Sequence, residues 1–183
     1  MTTTIIIIVV LTLLILFIAI AYNKMIKSKN RMQEAWSIID VFLKKRYDLI
    51  PNLVETVKGY ATYEKSVLEE VIRIRSQAIE SQTVESKSQT ETKLNNALVH
   101  LFGVVEKYPE LKANKSFLEL QHEISQIEND LEKARRYYNG TVRENNILIE
   151  SFPFNLIAGL FSFGKGSFFQ IDQRESIPTN ISF

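Results

Sequence analysis

Residues 115–146 read KSFLELQHEISQIENDLEKARRYYNGTVRENN, and the spacing of their apolar side chains decides the fold class. These side chains recur at alternating intervals of three and four residues: Phe117, Leu120, Ile124, Ile127, Leu131, Ala134 and Tyr138. Such a heptad seam is typical of a long helix that packs against other helices, as in a coiled coil. Ser116 and Glu119 are spaced as a capping box, so we expect this helix to run from about residue 116 to about residue 151.

Two more amphipathic segments precede this helix. One face of the first carries Val67, Val71, Ile74 and Ala78, after a second capping box at Ser66 and Glu69; the other segment carries Leu94, Leu98, Leu101, Phe102, Val105 and Tyr108. Between them, residues 81–92 (SQTVESKSQTET) are polar and predict a turn. Because one-sided apolar faces must pair, the sequence predicts an all-α protein whose body is an antiparallel bundle of about four long helices.

A proline interrupts the first helix of this body. Apolar side chains keep one face on both sides of Pro51: Leu43, Tyr47, Ile50, Val54, Val57 and Ala61. Proline removes a helical hydrogen bond, but a true break would shift the apolar phase. We therefore predict one helix with a kink at Pro51. Arg46 and Asp48 are expected to be surface or helix-pairing groups, and no active-site loop is expected.

The amino terminus contains 18 consecutive residues, 5–22, without a charge or an amide. At ~1.5 Å per helical residue this run approaches the thickness of a bilayer core. Ala19 and Ala21 resemble a signal-peptide cleavage site, but no basic residue precedes the run and the run is long for a signal peptide. We predict a retained transmembrane anchor, residues 1–22, which continues into the body because no strong helix breaker follows it.

Basic residues after the anchor predict its orientation. Residues 23–46 carry seven Lys or Arg side chains against Glu34 and Asp40. The positive-inside rule places the body in the cytoplasm and the amino terminus outside. The same cluster has a second possible role in contacting anionic lipid head groups.

After the bundle, residues 23–151, comes a Phe-rich apolar segment, residues 152–169, and then a polar tail, residues 170–183. The Phe-rich segment is too short to span a bilayer. Three roles remain open: it caps the bundle, lies in the membrane interface, or forms a subunit contact. The candidate oligomer or membrane contacts are Phe154, Leu156, Ile157, Leu160, Phe161 and Phe163.

The sequence contains few motifs that would indicate a catalytic, metal or nucleic-acid-binding site. The formal charge is +1 and there are no cysteines, which argues against nucleic-acid binding and excludes thiolate chemistry. Glu119 and His122 form only half of a di-iron motif, since Ala97 stands three residues before the other histidine, His100. No phosphate-binding loop or nucleophile elbow is found. In residues 135–139, RRYYN, we expect packed tyrosines and paired arginines. We predict no enzyme, no metal and no cofactor.

Three stretches in this order resemble the LemA family of bacterial membrane proteins: AWSIIDVFLKKRYDLIPNLVETVKGYATYE, EKYPELKANKSFLELQHEISQIENDLEKARRYYN and SFPFNLIAGLFSF. The likeness covers about residues 22–163, with departures at Gly140 and Ser162, and leaves the last twenty residues outside. It implies a single-pass anchor, a cytoplasmic helical bundle and no established catalysis. One branch of the family is associated with magnetosome membranes, and members often accompany membrane-bound metalloproteases or stress-response components.

Two functional hypotheses follow. The first is a self-associating helical scaffold on the cytoplasmic face of the bacterial membrane, with lipid and further copies of the chain as partners. The second is an accessory or regulatory subunit of a membrane protein machine, such as a quality-control metalloprotease.

Overall fold

A computed structural model describes residues 1–61 and 63–170 of the chain. The described residues form six helices and no strand: α1 (Thr2–Lys58), α2 (Lys65–Glu80), α3 (Val84–Val105), α4 (Pro109–Lys112), α5 (Lys115–Glu150) and α6 (Phe154–Leu160). The all-α prediction is confirmed, with a long apolar N-terminal helix followed by a helical bundle. The predicted polar tail lies, apart from residue 170, outside the described residues.

Two compact units make up the chain. Of the described residues, unit 1 contains Met1–Ile38 and Arg136–Ser167, and unit 2 contains Ile39–Arg135 together with Phe168–Gln170. Helices α1 and α5 therefore each contribute residues to both units.

Helix α1 is continuous from the apolar amino terminus through Pro51 to Lys58. The expectation that the anchor runs into the body without a break is confirmed, and the alternative of a loop around Pro51 is excluded. The predicted apolar face is buried at every position: Leu43, Tyr47, Ile50, Val54 and Val57 lie in α1, and Ala61 lies just after the end of the helix. The kink at Pro51 stays a prediction.

The core of unit 2 is built from the predicted apolar faces. Val67, Val71, Ile74 and Ala78 of α2 are buried, and α2 packs against α3, where Leu94, Leu98 and Leu101 are buried. In the part of α5 that belongs to unit 2, the buried seam positions are Phe117, Ile124, Leu131 and Ala134. The heptad spacing thus identified the core side of α5.

The polar segment 81–92 was predicted to be a turn, and this prediction is wrong for most of it. Helix α3 begins at Val84, so only three residues separate it from α2. Thr83 Oγ1 accepts a hydrogen bond from the amide of Ser86 (3.1 Å), and Ser86 Oγ accepts one from the amide of Thr83 (3.2 Å). This capping box starts the helix, and burial of Ser88 and Glu91 holds it in place.

Both capping boxes predicted from sequence are also wrong. Helix α2 is preceded by Glu64, which makes no side-chain capping bond, and Ser66 lies inside the first turn. At the start of α5, Asn114 Oδ1 accepts a hydrogen bond from the amide of Phe117 at 3.0 Å. Asn caps helices as well as Ser does. The cap of α5 is therefore Asn114, which lies two residues before the predicted cap, Ser116.

Unit 1 joins the first part of α1 to the end of α5 and to α6. Its cluster of buried apolar side chains comprises Ala21, Met25, Ile149, Ile157 and Ala158. A second contact pairs the rings of Trp36 and Tyr138, whose centroids lie 5.3 Å apart. The Tyr138 hydroxyl donates a hydrogen bond to the carbonyl of Ser167 at 2.9 Å, which ties down the chain after α6.

The N-terminal part of α1 is the one helix in the described residues that is long and apolar enough to cross a membrane. Its large side chains from Ile5 to Leu16 are half or more exposed, and its lone hydroxyl, on Thr12, donates to the carbonyl of Ile8 at 2.8 Å. An apolar surface of this kind is stable in lipid, where backbone and hydroxyl groups must be satisfied within the helix.

Candidate functional sites

The structure separates the six candidate contact residues of the Phe-rich segment into two groups. Ile157 is buried in the apolar cluster of unit 1, and Phe154 and Phe163 are partly buried against that cluster. Leu156, Leu160 and Phe161 are exposed. The inward group packs α6 against α1 and α5, and the outward group leaves an apolar surface exposed.

A second feature surrounds Pro51, in unit 2. Proline has no amide, so the carbonyl of Tyr47, one turn earlier, lacks its helical donor. Arg75 Nε of α2 donates a hydrogen bond to this carbonyl at 2.6 Å. A side chain from a neighbouring helix therefore supplies the hydrogen bond that Pro51 removes, which allows the proline to remain in a continuous helix.

The third feature is a buried charge cluster, which the sequence reasoning missed. Arg46 of α1 is 0% exposed and Glu91 of α3 is 1% exposed, and the two side chains form an ion pair through Arg46 Nη2 and Glu91 Oε2. The Tyr47 hydroxyl donates to the other oxygen of Glu91. Arg46 was expected to be a surface or helix-pairing group: it does pair helices, but it is buried and not at the surface. Glu91 was expected in a turn, and this expectation is wrong because Glu91 lies inside α3.

Helix α5 completes the cluster. Arg46 Nη1 donates to Asn95 Oδ1 at 2.7 Å and also contacts the carboxylate of Glu128. Arg135 lies 3.5 Å from Glu128 and 3.7 Å from Glu91, measured between guanidinium nitrogen and carboxylate oxygen. Two arginines and two glutamates thus balance in charge, as buried ions must if they are to remain charged.

The environment of Tyr47 is unfavourable for its ionised form. Burial, and then the nearby negative charge of Glu91, raise the pKa of the Tyr47 phenol above its ordinary value. Tyr47 therefore stays a neutral hydrogen-bond donor, which is the form that Glu91 requires. A tyrosine held in this state does not act as a base.

A cleft of about 510 Å³ lies beside the cluster, lined by residues of α3, α5 and the chain at 169–170. The guanidinium of Arg135 lies 4.9 Å from the centre of the Phe169 ring, and Ser88 Oγ donates to the carbonyl of Gln170 at 2.9 Å. The two carboxylates that line this cleft, Glu91 and Glu128, are ion-paired with Arg46 and Arg135. The arrangement joins α1, α3 and α5 and presents no nucleophile paired with a base.

The positions of Arg46 and Glu91 in the sequence are consistent with the buried charge cluster and could have indicated it. Arg46 falls within the core series Ile39, Leu43, Arg46, Ile50, Leu53 and Val57, whose intervals alternate between four and three residues. Glu91 likewise lies three residues before Leu94, at the start of the buried series of α3. A charged residue in phase with a buried apolar series is a candidate for a buried ion pair.

The remaining candidates behave as ordinary helix residues. His122 is exposed and lies 2.8 Å from the side-chain amide of Gln126. The described residues contain no group of three His, Asp or Glu side chains that could hold a metal ion. In the run 135–139, Arg135 pairs with Glu128 and Tyr138 is buried, as expected, whereas Tyr137 is 43% exposed and does not fit the expectation of packed tyrosines.

The fold and these sites define a class of protein: an all-helical protein with an ion-paired interior and, within the described residues, one candidate membrane span. The LemA family model matches residues 35–183, and the chain belongs to the LemA family. The match reaches residue 183, so the expectation that the last twenty residues lie outside the family pattern is wrong. The family is not known for an enzymatic activity.

Two kinds of relatives are similar to this chain. Protein LemA of Metamycoplasma hominis is 28% identical over 165 residues, which cover 87% of this chain and 74% of that protein. Magnetosome proteins MamQ 1 and MamQ 2 of Paramagnetospirillum magneticum are each 22% identical over 175 residues, which cover 81% of this chain. The chain spans 64% of the length of these magnetosome proteins.

Proposed function

We propose that this protein is a non-catalytic, single-pass membrane scaffold that self-associates on the cytoplasmic face of the bacterial cytoplasmic membrane and serves membrane organisation or stress response. The observation that carries the proposal is the continuity of α1. The last turn of the apolar run already contributes Ala21 to the unit 1 core, and the helix continues without a loop to Met25 of the same core.

Continuity of this kind suits a scaffold better than a tethered catalyst. A flexible linker lets an attached domain move freely over the membrane. A helix that enters a packed core fixes the position and direction of that core relative to the bilayer. Similarity to proteins named for the magnetosome, a membrane-bounded organelle, supports a role at membranes.

The buried charge cluster supports the non-catalytic part of the proposal. Active sites place perturbed ionisable groups in a cleft beside a substrate position. Here Arg46, Glu91 and Tyr47 bind one another inside the helical packing. These contacts join α1 to α3, and the contact between Arg46 and Glu128 adds α5.

The test is the molar mass of the full chain in mild detergent, measured by light scattering and native mass spectrometry. A scaffold requires several copies to act over a membrane area larger than one molecule, so we expect a homo-oligomer above the 21.1 kDa chain mass. A monomer in mild detergent and in lipid nanodiscs would refute self-association. Cross-linking in cells that captured one foreign membrane protein in fixed ratio would instead favour the accessory-subunit hypothesis.

A further inference from the structure

Helix α6 presents two different faces in unit 1. Ile157 and Ala158 point inward and are buried against Ala21 and Met25 of α1. On the other side, Leu156 is 66% exposed and Leu160 is 74% exposed, one helical turn apart. Phe152 before the helix is 80% exposed, and Phe161 after it is 46% exposed. We refer to these four outward side chains as the apolar row.

The position of α6 along α1 determines what surrounds this row. Its aromatic neighbours on α1 are Phe17, with ring centroids 6.2 Å from Phe154, and Tyr22, with ring centroids 5.0 Å from Phe161. Phe17 and Tyr22 are the last two aromatic residues of the uncharged run. Tyrosine is enriched at the boundary between hydrocarbon and water, so α6 packs on α1 at that boundary.

Basic side chains occupy the water side of the same boundary. Lys24 Nζ lies 5.0 Å from the centre of the Phe154 ring. Lys24, Lys27 and Arg31 line a groove of about 480 Å³ together with Ile147 and Phe154. Apolar side chains beside lysines, within one turn of a membrane span, are typical of elements that lie in the bilayer interface.

We propose that α6 with its flanking phenylalanines is a second membrane contact, whose apolar row inserts into the interfacial region of the lipid bilayer. The row meets the span where Phe161 packs on Tyr22, and α6 also reaches Phe17 through Phe154, so a bilayer crossed by α1 lies at the level of the row in every copy. A second copy of the chain at this surface would have to displace lipid. The proposal rests on the membrane-spanning part of the proposed function and is independent of self-association.

The function of this contact follows from geometry. A single span leaves a protein free to tilt and rotate about its axis. A second contact, offset from the span and packed on it through Ile157 and Ala158, fixes the rotation of unit 1 and holds it against the bilayer surface. One leaflet receives the inserted side chains, as with amphipathic helices that respond to membrane curvature.

The test uses spin labels on single cysteines, which the cysteine-free chain permits. The full-length Leu160→Cys variant is labelled, reconstituted into vesicles of phosphatidylethanolamine and phosphatidylglycerol, and compared with Arg143→Cys, an exposed polar position of unit 1. We expect oxygen to collide with the Leu160 label several-fold more often, relative to a water-soluble nickel complex, than with the Arg143 label. Unchanged helical content by circular dichroism verifies folding.

Two results would overturn the proposal. Equal accessibility of both labels to the nickel complex would place the row in water. Spin–spin broadening at the Leu160 label that disappears on dilution with unlabelled chain would assign the row to a second copy. A Val10→Cys label distinguishes the failure of the span from the failure of α6: if Val10 reports lipid and Leu160 reports water, only the α6 proposal falls.

Discussion

Arg46 shows how one residue changes the interpretation of a helix. Its side chain is fully buried, and its charge is balanced by Glu91 and Glu128 from two other helices. Transfer of an isolated guanidinium into the core would be prohibitive, so its partners have to be in place when the helices pack. The cluster therefore favours one arrangement of α1, α3 and α5 over other apolar packings.

Removal of one charge from this cluster is expected to be costly. Glu91→Leu leaves the buried Arg46 with Glu128 as its remaining carboxylate partner, removes the acceptor of the Tyr47 hydroxyl, and should lower the free energy of unfolding by ~3 kcal/mol. The double variant Glu91→Leu/Arg46→Met removes both charges and should recover most of that loss. Denaturant unfolding of the full chain in detergent, followed by circular dichroism, measures both values.

A surface pair provides the control for this comparison. Glu70 and Arg73 form an exposed ion pair on α2, so Glu70→Leu should change stability by less than ~1 kcal/mol. If Glu91→Leu cost no more than Glu70→Leu, Arg46 would not be held by a buried ion pair.

The hydrogen bond from Arg75 to Tyr47 is expected to matter only because of Pro51. Arg75→Met should cost ~1–3 kcal/mol because the Tyr47 carbonyl loses its donor. In a Pro51→Ala background the new amide supplies that donor, so the same change should cost clearly less. Thermal unfolding of the wild-type chain, the two single variants and the double variant gives the coupling energy between Arg75 and Pro51. Equal costs in both backgrounds would contradict the role assigned to Arg75.

At the scale of elements, α3 and α6 show where local pattern is insufficient. The first turns of α3 are rich in serine, threonine and glutamate, a composition shared by turns and by capped helices. The Phe-rich segment is apolar throughout, so its sequence does not separate the residues that face α1 from those that face outward. In both segments the contacts with other helices decide the structure.

Within unit 1, Gly166 holds the chain after α6 against α5. Its amide donates to Asn146 Oδ1 at 2.8 Å, and Asn146 Nδ2 donates to its carbonyl at 3.0 Å. A Cβ at Gly166 would clash with Met32 Sδ and would also touch Val142 Cγ1 at 3.4 Å, so Met32 would have to change its side-chain conformation. Because a methionine side chain is flexible, Gly166→Ala should destabilise unit 1 by ~1 kcal/mol.

Gly164 is the matched control, since a Cβ there meets nothing within 4 Å. Gly164→Ala should leave stability within ~0.5 kcal/mol of the wild-type chain. Thermal melting of both variants in detergent measures the difference. Identical melting of the two variants would show that residue 166 is not held close to α1.

At the scale of the whole molecule, the orientation in the membrane is the main testable statement. The seven basic residues that follow the span predict an external amino terminus. In intact cells, Thr3→Cys should react with a membrane-impermeant maleimide, whereas Gln77→Cys should react only after permeabilisation. Labelling of Gln77→Cys in intact cells would contradict this orientation and would show that the body lies outside the cell.

The sequence by itself determined the helical class, the buried faces of α1, α2 and α5, the candidate span and the family. These properties depend on local periodicity and composition, which neighbouring residues carry. Only the tertiary structure decided that Arg46 and Glu91 are inside, that Arg75 satisfies the carbonyl left by Pro51, and that half of the Phe-rich candidates face the bundle. Arg46 and Glu91 are 45 positions apart. Burial of a charge depends on such a distant partner, and periodicity within one helix does not specify it.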